Sequence, residues 1–498
     1  MRKLFYCTSS LHNPHAGVML NKMLSDKRKG YEVIMAYCDR ALPSCITNIH
    51  GNKGICMICK HMHGQIINNY LSDIQAIPIS ESNFEKKIVT FSYDDVLDLK
   101  KIRYKGINIG LSLHSYYVTI TRKPSGRLSL EERHYFDQIL TSLCQFVDYA
   151  FQLVEKVKPD VITIYNGRMF ENRLFYEIAV DKGIPFESEE VCWRINQPSI
   201  RVEYHGGLPL DIKQLTRMSE ELWANSKRSE EEKKEVGSSF FLNRRNGKPT
   251  NDFIYIDKQI KDLLPVEYNE KERNFVIFNS SEDEIVSLGG EWDEDNLFES
   301  QLDAISFVLQ HLPNNSHLYL RIHPNLKGVR AEYHTNLYKL RDSRLTIIKP
   351  DSPISSYALM DIAEKVLVMG STMGVESCYW GKPVISLHKS EYYYLNVAYN
   401  PQSRNELVQM LDDCLDPKSK KGALLYGYFY MALDERAQTD NEVNFNLYTD
   451  TFMGKKVSGV IEYLKCFGSS VLFRILYPRF VAHCTRFFKN TVTFPKED

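Results

Sequence analysis

Four short segments of this chain each set hydroxyls, carboxylates, an imidazole or a guanidinium directly after an apolar run. In Val366-Leu367-Val368-Met369-Gly370-Ser371-Thr372-Met373-Gly374-Val375-Glu376-Ser377 a strand runs into a helix. Ser371 and Thr372 fall where that helix begins, so free backbone N–H groups and two hydroxyls converge on an anion site. Gly370 permits close approach of the backbone to a ligand. Glu376, in the first turns, is a carboxylate able to accept ribose or sugar hydroxyls. An ordinary capped helix uses the same Ser and Thr. In Leu320-Arg321-Ile322-His323-Pro324-Asn325, His323 follows a strand and Pro324 fixes the turn after it. Arg321 and His323 are candidate phosphate contacts. Ser280 and Ser281 follow a third strand, ahead of Glu282, Asp283 and Glu284. The fourth segment, Ile347 to Tyr357, carries Asp351 and Ser352, either of which can cap the next helix. All four lie at carboxyl ends of successive strands and so address one crevice.

Cys38, Cys45, Cys56 and Cys59 crowd a turn-rich stretch, 38–63, in which Gly51, Asn52 and Gly54 read as loop. A Cys-x-x-Cys pair with two more thiols suits structural zinc or an iron–sulfur cluster, bracing the loop rather than doing chemistry. Reduced, partly buried cysteines are the plainer reading. The stretch 454–498 interleaves Lys455, Lys456, Lys465, Arg474, Arg479, Arg486 and Lys489 with aromatic and aliphatic residues. That pattern suits a basic amphipathic helix lying on an anionic membrane surface, or a helix packed on the protein with its charges in solvent.

These groups need a scaffold, and the apolar pattern supplies one. Strands read at 3–7, 30–36, 161–165 and from 184 alternate with helices at 17–25, 130–157 and 171–182. A second series has strands at 275–278, 318–322, 345–348, 366–369 and 384–387, with helices between them. Short apolar strands with helical crossovers imply parallel sheets covered on both faces. The expected architecture is α/β: two Rossmann-like domains facing a cleft, 1–210 and 266–453. A charged helical connection over 211–265 joins them, and a helical tail over 454–498 follows. With 498 residues, 43% hydrophobic and 25% charged, the chain is ordinary globular material. Its net charge of -1 gives no reason to expect nucleic acid. The start lacks the apolar core of a signal peptide, and eleven Cys fit a reducing cytoplasm.

The ordered set Ser-Ser-Glu-Asp-Glu, Arg-Ile-His-Pro-Asn, Pro-Asp-Ser-Pro-Ile-Ser-Ser-Tyr, Gly-Ser-Thr-Met-Gly-Val-Glu-Ser and Gly-Lys-Pro-Val-Ile, over 270–390, resembles the nucleotide-sugar domain of GT-B glycosyltransferases. The likeness is to enzymes of bacterial capsule and surface-polysaccharide synthesis, of the Kdo transferase and polysialyltransferase type. It implies that His323 and the Ser371-Thr372 helix start hold the donor phosphate, with Glu376 near the ribose. It further implies an inverting transfer without metal or other cofactor, from a CMP- or UDP-linked sugar to a glycan or lipid-linked acceptor. The expected location is the cytoplasm, with the basic tail at the inner face of the plasma membrane.

Such a reaction needs a general base at the acceptor hydroxyl. Candidates are Glu189 and Glu190 after the strand at 184, and His114 in a presumed loop, Gly110 to Ser115; Asp283 and Glu284 are further options. Asn166 and Arg168 lie beyond a strand end, where they can hold hydroxyls of either substrate. The residues alone leave three other readings open: a sugar-nucleotide 2-epimerase, a teichoic-acid-type glycerophosphotransferase, and a non-catalytic, metal-braced assembly module.

Overall fold

A computed structural model describes residues 1–11, 15–49, 51–192, 200–438, 440–443, 451–452 and 455–456. It is mixed α/β and divides into two compact units, one from 1–191, 201–209 and the segment after 437, the other centred on 210–437.

The first unit is built on a six-stranded sheet. Its strands are β1 (Arg2–Cys7), β2 (Glu32–Cys38), β3 (Gln75–Ile79), β4 (Val161–Tyr165), β5 (Phe186–Cys192) and β6 (Ile200–His205), in the spatial order β3-β2-β1-β4-β5-β6. The pairs β1–β2, β2–β3, β1–β4 and β4–β5 are parallel. Leu4, Phe5 and Tyr6 are all fully buried, as a strand covered on both faces requires. The covering helices are α1 (His15–Arg28), α2 (Lys53–Tyr70), α3 (Ile109–Thr121), α4 (Leu130–Val157) and α5 (Phe170–Lys182). Ser129 and Glu132 form a capping box at the start of α4.

Two expected loops are helices. In α2, Ile55, Ile58, Met62 and Ile66 recur at helical spacing and are buried, and the Asn52 side chain caps the first turn through the Gly54 N–H. This apolar face outweighs the glycines around it. In α3, Asn108 accepts from the Leu111 N–H, and the segment thought to be a loop around His114 is buried helix.

Beneath β1 and β5 lies a buried ion network. Lys3 pairs with Asp26 and Glu187, both at 2.9 Å. Lys22 reaches Glu203 at 3.1 Å, and Arg201 pairs with Glu203 at 2.6 Å and Glu189 at 3.2 Å. Removing one member of such a network strands its partner in a poor solvent for charge.

The second unit repeats the winding with β7 (Arg273–Phe278), β8 (Ser316–Arg321), β9 (Leu345–Ile348), β10 (Lys365–Met369) and β11 (Val384–His388), ordered β9-β8-β7-β10-β11 and parallel throughout. The segment 211–265 is no free connection. Its helices α6 (Ile212–Asn225) and α7 (Glu230–Arg245) pack into this unit. Phe240 and Phe241 are fully buried in the same core as Val276, Val368 and Tyr426. The charges that made this stretch read as a connection lie on one side of α7; the aromatic pair is the other. Gly237 lets α7 approach the later helix Lys421–Met431, since a Cβ there would sit 2.6 Å from the Leu424 carbonyl oxygen.

The helical tail expected over 454–498 lies outside the described residues, except for Lys455–Lys456, a two-residue strand paired with Thr451–Phe452. No helix among the described residues is long and apolar enough to cross a membrane. Because Phe240 is core, Phe240→Ala should cost about 3–5 kcal/mol in urea unfolding; a loss under ~1 kcal/mol would return 211–265 to the status of a linker.

Candidate functional site

Both sheets reverse their winding once, between β1 and β4 and between β7 and β10, where ligands of open α/β sheets bind. Each reversal has a cavity beside it. The one in the second unit, about 480 Å³, is bordered by Arg244, Tyr255, Arg321, His323, Ser371 and Thr372, among others.

Arg321 ends β8 and is 2% exposed. Its Nη1 donates to the Lys349 carbonyl at 3.1 Å, and Nη2 reaches the Ser352 carbonyl at 3.4 Å. Its Nε has no partner, and among the described residues no carboxylate is close enough to pair with it. Burial lowers its pKa to about 10, partly opposed by the more distant Asp351. The group remains a cation at neutral pH, desolvated and lacking a counter-ion, which is an arrangement that favours an anion.

His323 comes two residues on, after Ile322. Asn279 Oδ1 accepts its backbone N–H at 2.8 Å, and its Nδ1 lies 2.6 Å from Asn325 Oδ1. The same Nδ1 accepts from the Asn325 backbone N–H at 3.2 Å, so Asn325 holds this edge of the ring through both its backbone and its side chain. The ring meets Tyr255 edge-on at 5.0 Å. Burial lowers its pKa to about 4, against the Asn325 hydrogen bond, so the ring is neutral at pH 7.

Arg244, at the end of α7, was hidden in what the sequence presents as a charged connector. Its guanidinium binds Glu376 through Nε at 3.0 Å, Asp252 through Nη1 at 2.8 Å and the Thr372 hydroxyl through Nη2 at 3.2 Å. Phe240 and Phe241, four and three residues earlier, were the signal that this face is buried. Glu376 is 1% exposed and also accepts from the Tyr357 hydroxyl. Both of its oxygens are thus engaged, and its place is in the wall rather than free beside a ribose.

Gly370 has φ +75°, and a Cβ there would stand 2.5 Å from Ile285 Cδ1. Ser371 and Thr372 line the cavity. The helix they precede, Met373–Tyr379, is only seven residues long, so the positive potential comes chiefly from side chains. Ser280 and Ser281 brace the strand ends instead: Ser280 Oγ donates to the Met369 carbonyl at 2.5 Å, and Ser281 Oγ meets Asn325 Oδ1 at 3.4 Å. Asp283 accepts from the Tyr333 hydroxyl at 2.6 Å.

In the first unit the expected bases are committed elsewhere. Glu189 is fully buried against Arg201 in the ion network, and burial holds its carboxyl well above the usual range. Glu190 accepts from the Tyr165 hydroxyl and the Asn166 side chain. His114 is fully buried in α3 with Nε2 3.1 Å from the Pro124 carbonyl, and burial lowers its pKa to about 3. Arg168 donates its backbone N–H to Asn166 Oδ1. None of these lines the first unit's cavity of about 660 Å³. Glu171 does, fully buried and with a pKa that burial raises to about 7. A Glu in the first turn of a helix is so ordinary that sequence gave no cue to it.

The four cysteines do not assemble a metal site. Among the described residues no group of three or more His, Cys, Asp or Glu is placed to hold a metal ion. Cys38, Cys45, Cys56 and Cys59 are free thiols on a strand end, a turn and α2, with local partners. Cys45 lies 3.2 Å from the Thr47 hydroxyl, and Asn48 donates to Cys56 at 3.1 Å. Ser10 donates to Cys59 at 3.4 Å. Burial pushes the Cys45 thiol up to about 12, far from the thiolate a metal needs.

Three solved structures show similarity to parts of this chain. Thermosulfurimonas dismutans KpsC, β-Kdo 2,4-transferase, is 12% identical over 53% of this chain and 78% of its own, with a TM-score of 0.36. The β-Kdo 2,7-transferase of the same KpsC is 15% identical over 65% and 90%, with a TM-score of 0.33. UDP-GlcNAc 2-epimerase from Neisseria meningitidis is 12% identical over 85% and 97%, with a TM-score of 0.26. No curated protein matches significantly. The family described as capsule polysaccharide biosynthesis protein matches residues 248–406. The stretch that carries Arg321, His323, Ser371 and Glu376 is therefore the stretch this chain shares with the capsule polysaccharide biosynthesis family.

Proposed function

We propose that this chain is a glycosyltransferase of capsule or surface-polysaccharide synthesis, moving a sugar from a CMP- or UDP-linked donor to a glycan acceptor. The observation that carries the reading is Arg321: a buried guanidinium without a counter-ion, beside His323, in a cavity at the winding reversal of the unit that matches the capsule family. In this reading the donor phosphate sits against Arg321 and His323, with the Ser371 and Thr372 hydroxyls as further donors. When the glycosidic bond to the nucleotide breaks, charge builds on the departing phosphate oxygen. A fixed, desolvated cation stabilises that charge more than water does. Arg244 holds the Thr372 hydroxyl and the Glu376 wall in place.

Thermal shift with CMP, UDP and GDP tests the site. At a hundredfold excess over Kd the bound nucleotide should add about 2.7 kcal/mol to stability, and Arg321→Gln should abolish the effect. Sugar nucleotide should be consumed productively only with a glycan acceptor present. The absence of any shift would overturn the proposal, and a rearranged sugar nucleotide formed without acceptor would make the chain an epimerase.

The buried imidazole adds a pH dependence. In the unfolded chain His323 takes a proton near pH 6.5, while in the folded state it does so only near 4. Its contribution to stability is therefore full above pH 6.5 and is lost as the pH falls from 6.5 to 4, on the order of 3 kcal/mol. His323→Asn should flatten that limb of the denaturation profile. Bound phosphate favours the imidazolium, so the nucleotide-induced shift should grow in wild type, but not in the variant, as pH falls from 6.5 to 5.

A further inference from the structure

The first unit's cavity gathers buried polar atoms whose hydrogen-bonding capacity the protein leaves largely unused. The Tyr6 hydroxyl, both Glu171 oxygens, Asn172 Oδ1 and both His63 ring nitrogens have no hydrogen bond of good geometry, Tyr6 and Glu171 interacting with each other and His63 with Cys59, and all four residues line the cavity. Tyr6 and Glu171 are fully buried and His63 is 1% exposed. A buried polar group left unpaired costs free energy, so such a collection calls for an occupant. Among the described residues the lining contains no Lys or Arg, so it offers an anion no side-chain cation. One wall is flat and aromatic: the His15 and Tyr165 rings stack at 3.8 Å and 20°. A flat apolar face beside a fringe of unpaired donors and acceptors is complementary to a sugar ring, which has C–H faces and a hydroxyl rim. The turn that aims Glu171 inward is strained. Asn166 and Phe170, at φ +58° and +38°, occupy the left-handed region that non-glycine residues avoid, and such strain concentrates at functional sites.

We propose that this cavity binds one neutral sugar ring, its hydroxyls paired with Glu171, Asn172, Tyr6 and His63, and that Glu171 loses its proton as the sugar binds. The choice of carbohydrate rests on the glycosyltransferase reading; the need for a hydroxyl-bearing occupant rests on the unpaired atoms. Hydroxyls donating to a carboxylate favour its charged form. Binding therefore releases a proton and tightens as pH rises from 6 to 8. The titratable groups facing Glu171 are Tyr6 on β1, Cys38 at the end of β2, Cys45 in the turn that follows, and Cys59 with His63 on α2. Burial holds the Tyr6, Cys38 and Cys45 groups neutral in that range. Cys59 is different: burial raises it, but His63 and the Ser10 and Ser9 hydroxyls outweigh burial and lower it to about 7. It must be separated from Glu171 by experiment.

Saturation-transfer NMR and calorimetry on the full chain use methyl β-D-glucopyranoside, methyl β-D-galactopyranoside and N-acetylglucosamine as probes, with cyclohexylamine as a cationic control. At least one sugar should bind, severalfold tighter at pH 8 than at pH 6. Glu171→Gln should weaken it about tenfold and remove the pH dependence; Asn172→Ala should weaken it and keep the dependence; Cys59→Ser should change neither. Binding of the amine alone, binding of no sugar, or a pH dependence that follows Cys59 instead of Glu171 would each overturn the proposal. UDP and CMP shifts measured in the same variants separate its failure from that of the glycosyltransferase reading, because Glu171→Gln should leave them intact.

Discussion

A parallel sheet wound in one direction covers its own strand ends; a sheet whose winding reverses cannot. Connections leaving two neighbouring strands on opposite faces diverge and leave a gap at the carboxyl edge. Both units obey this constraint, at the β1–β4 and β7–β10 boundaries, and each gap is a cavity. The local chemistry follows from which side chains the diverging connections deliver. In the second unit they deliver Arg321, His323 and the Ser371 turn. In the first they deliver Tyr6, the Thr8–Ser10 segment and Glu171.

The two gaps differ in charge. The second unit keeps a guanidinium out of water with only carbonyl oxygens for company. The first keeps a carboxyl out of water with no ion pair to it among the described residues, while its charge pairs gather elsewhere in the unit, where Arg201 binds Glu189, Glu203 and Asp440. Segregation of this kind explains why the conspicuous acids of β5 are poor bases. Glu189 is bound into the foundation, and Glu190 holds the Tyr165 hydroxyl from behind.

Local pattern made the scaffold legible. The helix at 130–157 and the strands at 161–165 and 345–348 follow from apolar periodicity alone. The clustering of Arg321, His323, Ser371 and Thr372 follows from strand-end logic once a parallel sheet is assumed. What failed has one cause, which is that burial depends on tertiary structure. Turn-forming residues near Cys56 suggested a loop, yet Ile55, Ile58, Met62 and Ile66 had a core to pack against. Arg244 looked like one charge among many, with only the nearby Phe240 and Phe241 to hint that its face is buried, and Glu171 looked like a helix-start acid, with nothing local to show that it is enclosed. The expected four-thiolate site failed in the same way, since nearness in sequence did not bring the thiols onto a common centre.

Arg244 has a consequence for how the second cavity receives a ligand. Its guanidinium ties the end of α7 to Asp252, the Phe253 carbonyl, Glu376 and Thr372, and Tyr357 closes the ring from the other side of Glu376. The walls are thereby stiff before anything enters. A guest meets side chains whose rotamers are already fixed, so little entropy remains to be lost on docking and more of the attraction survives as affinity. Lysine could not take over this position, because a single ammonium cannot span four acceptors in one plane.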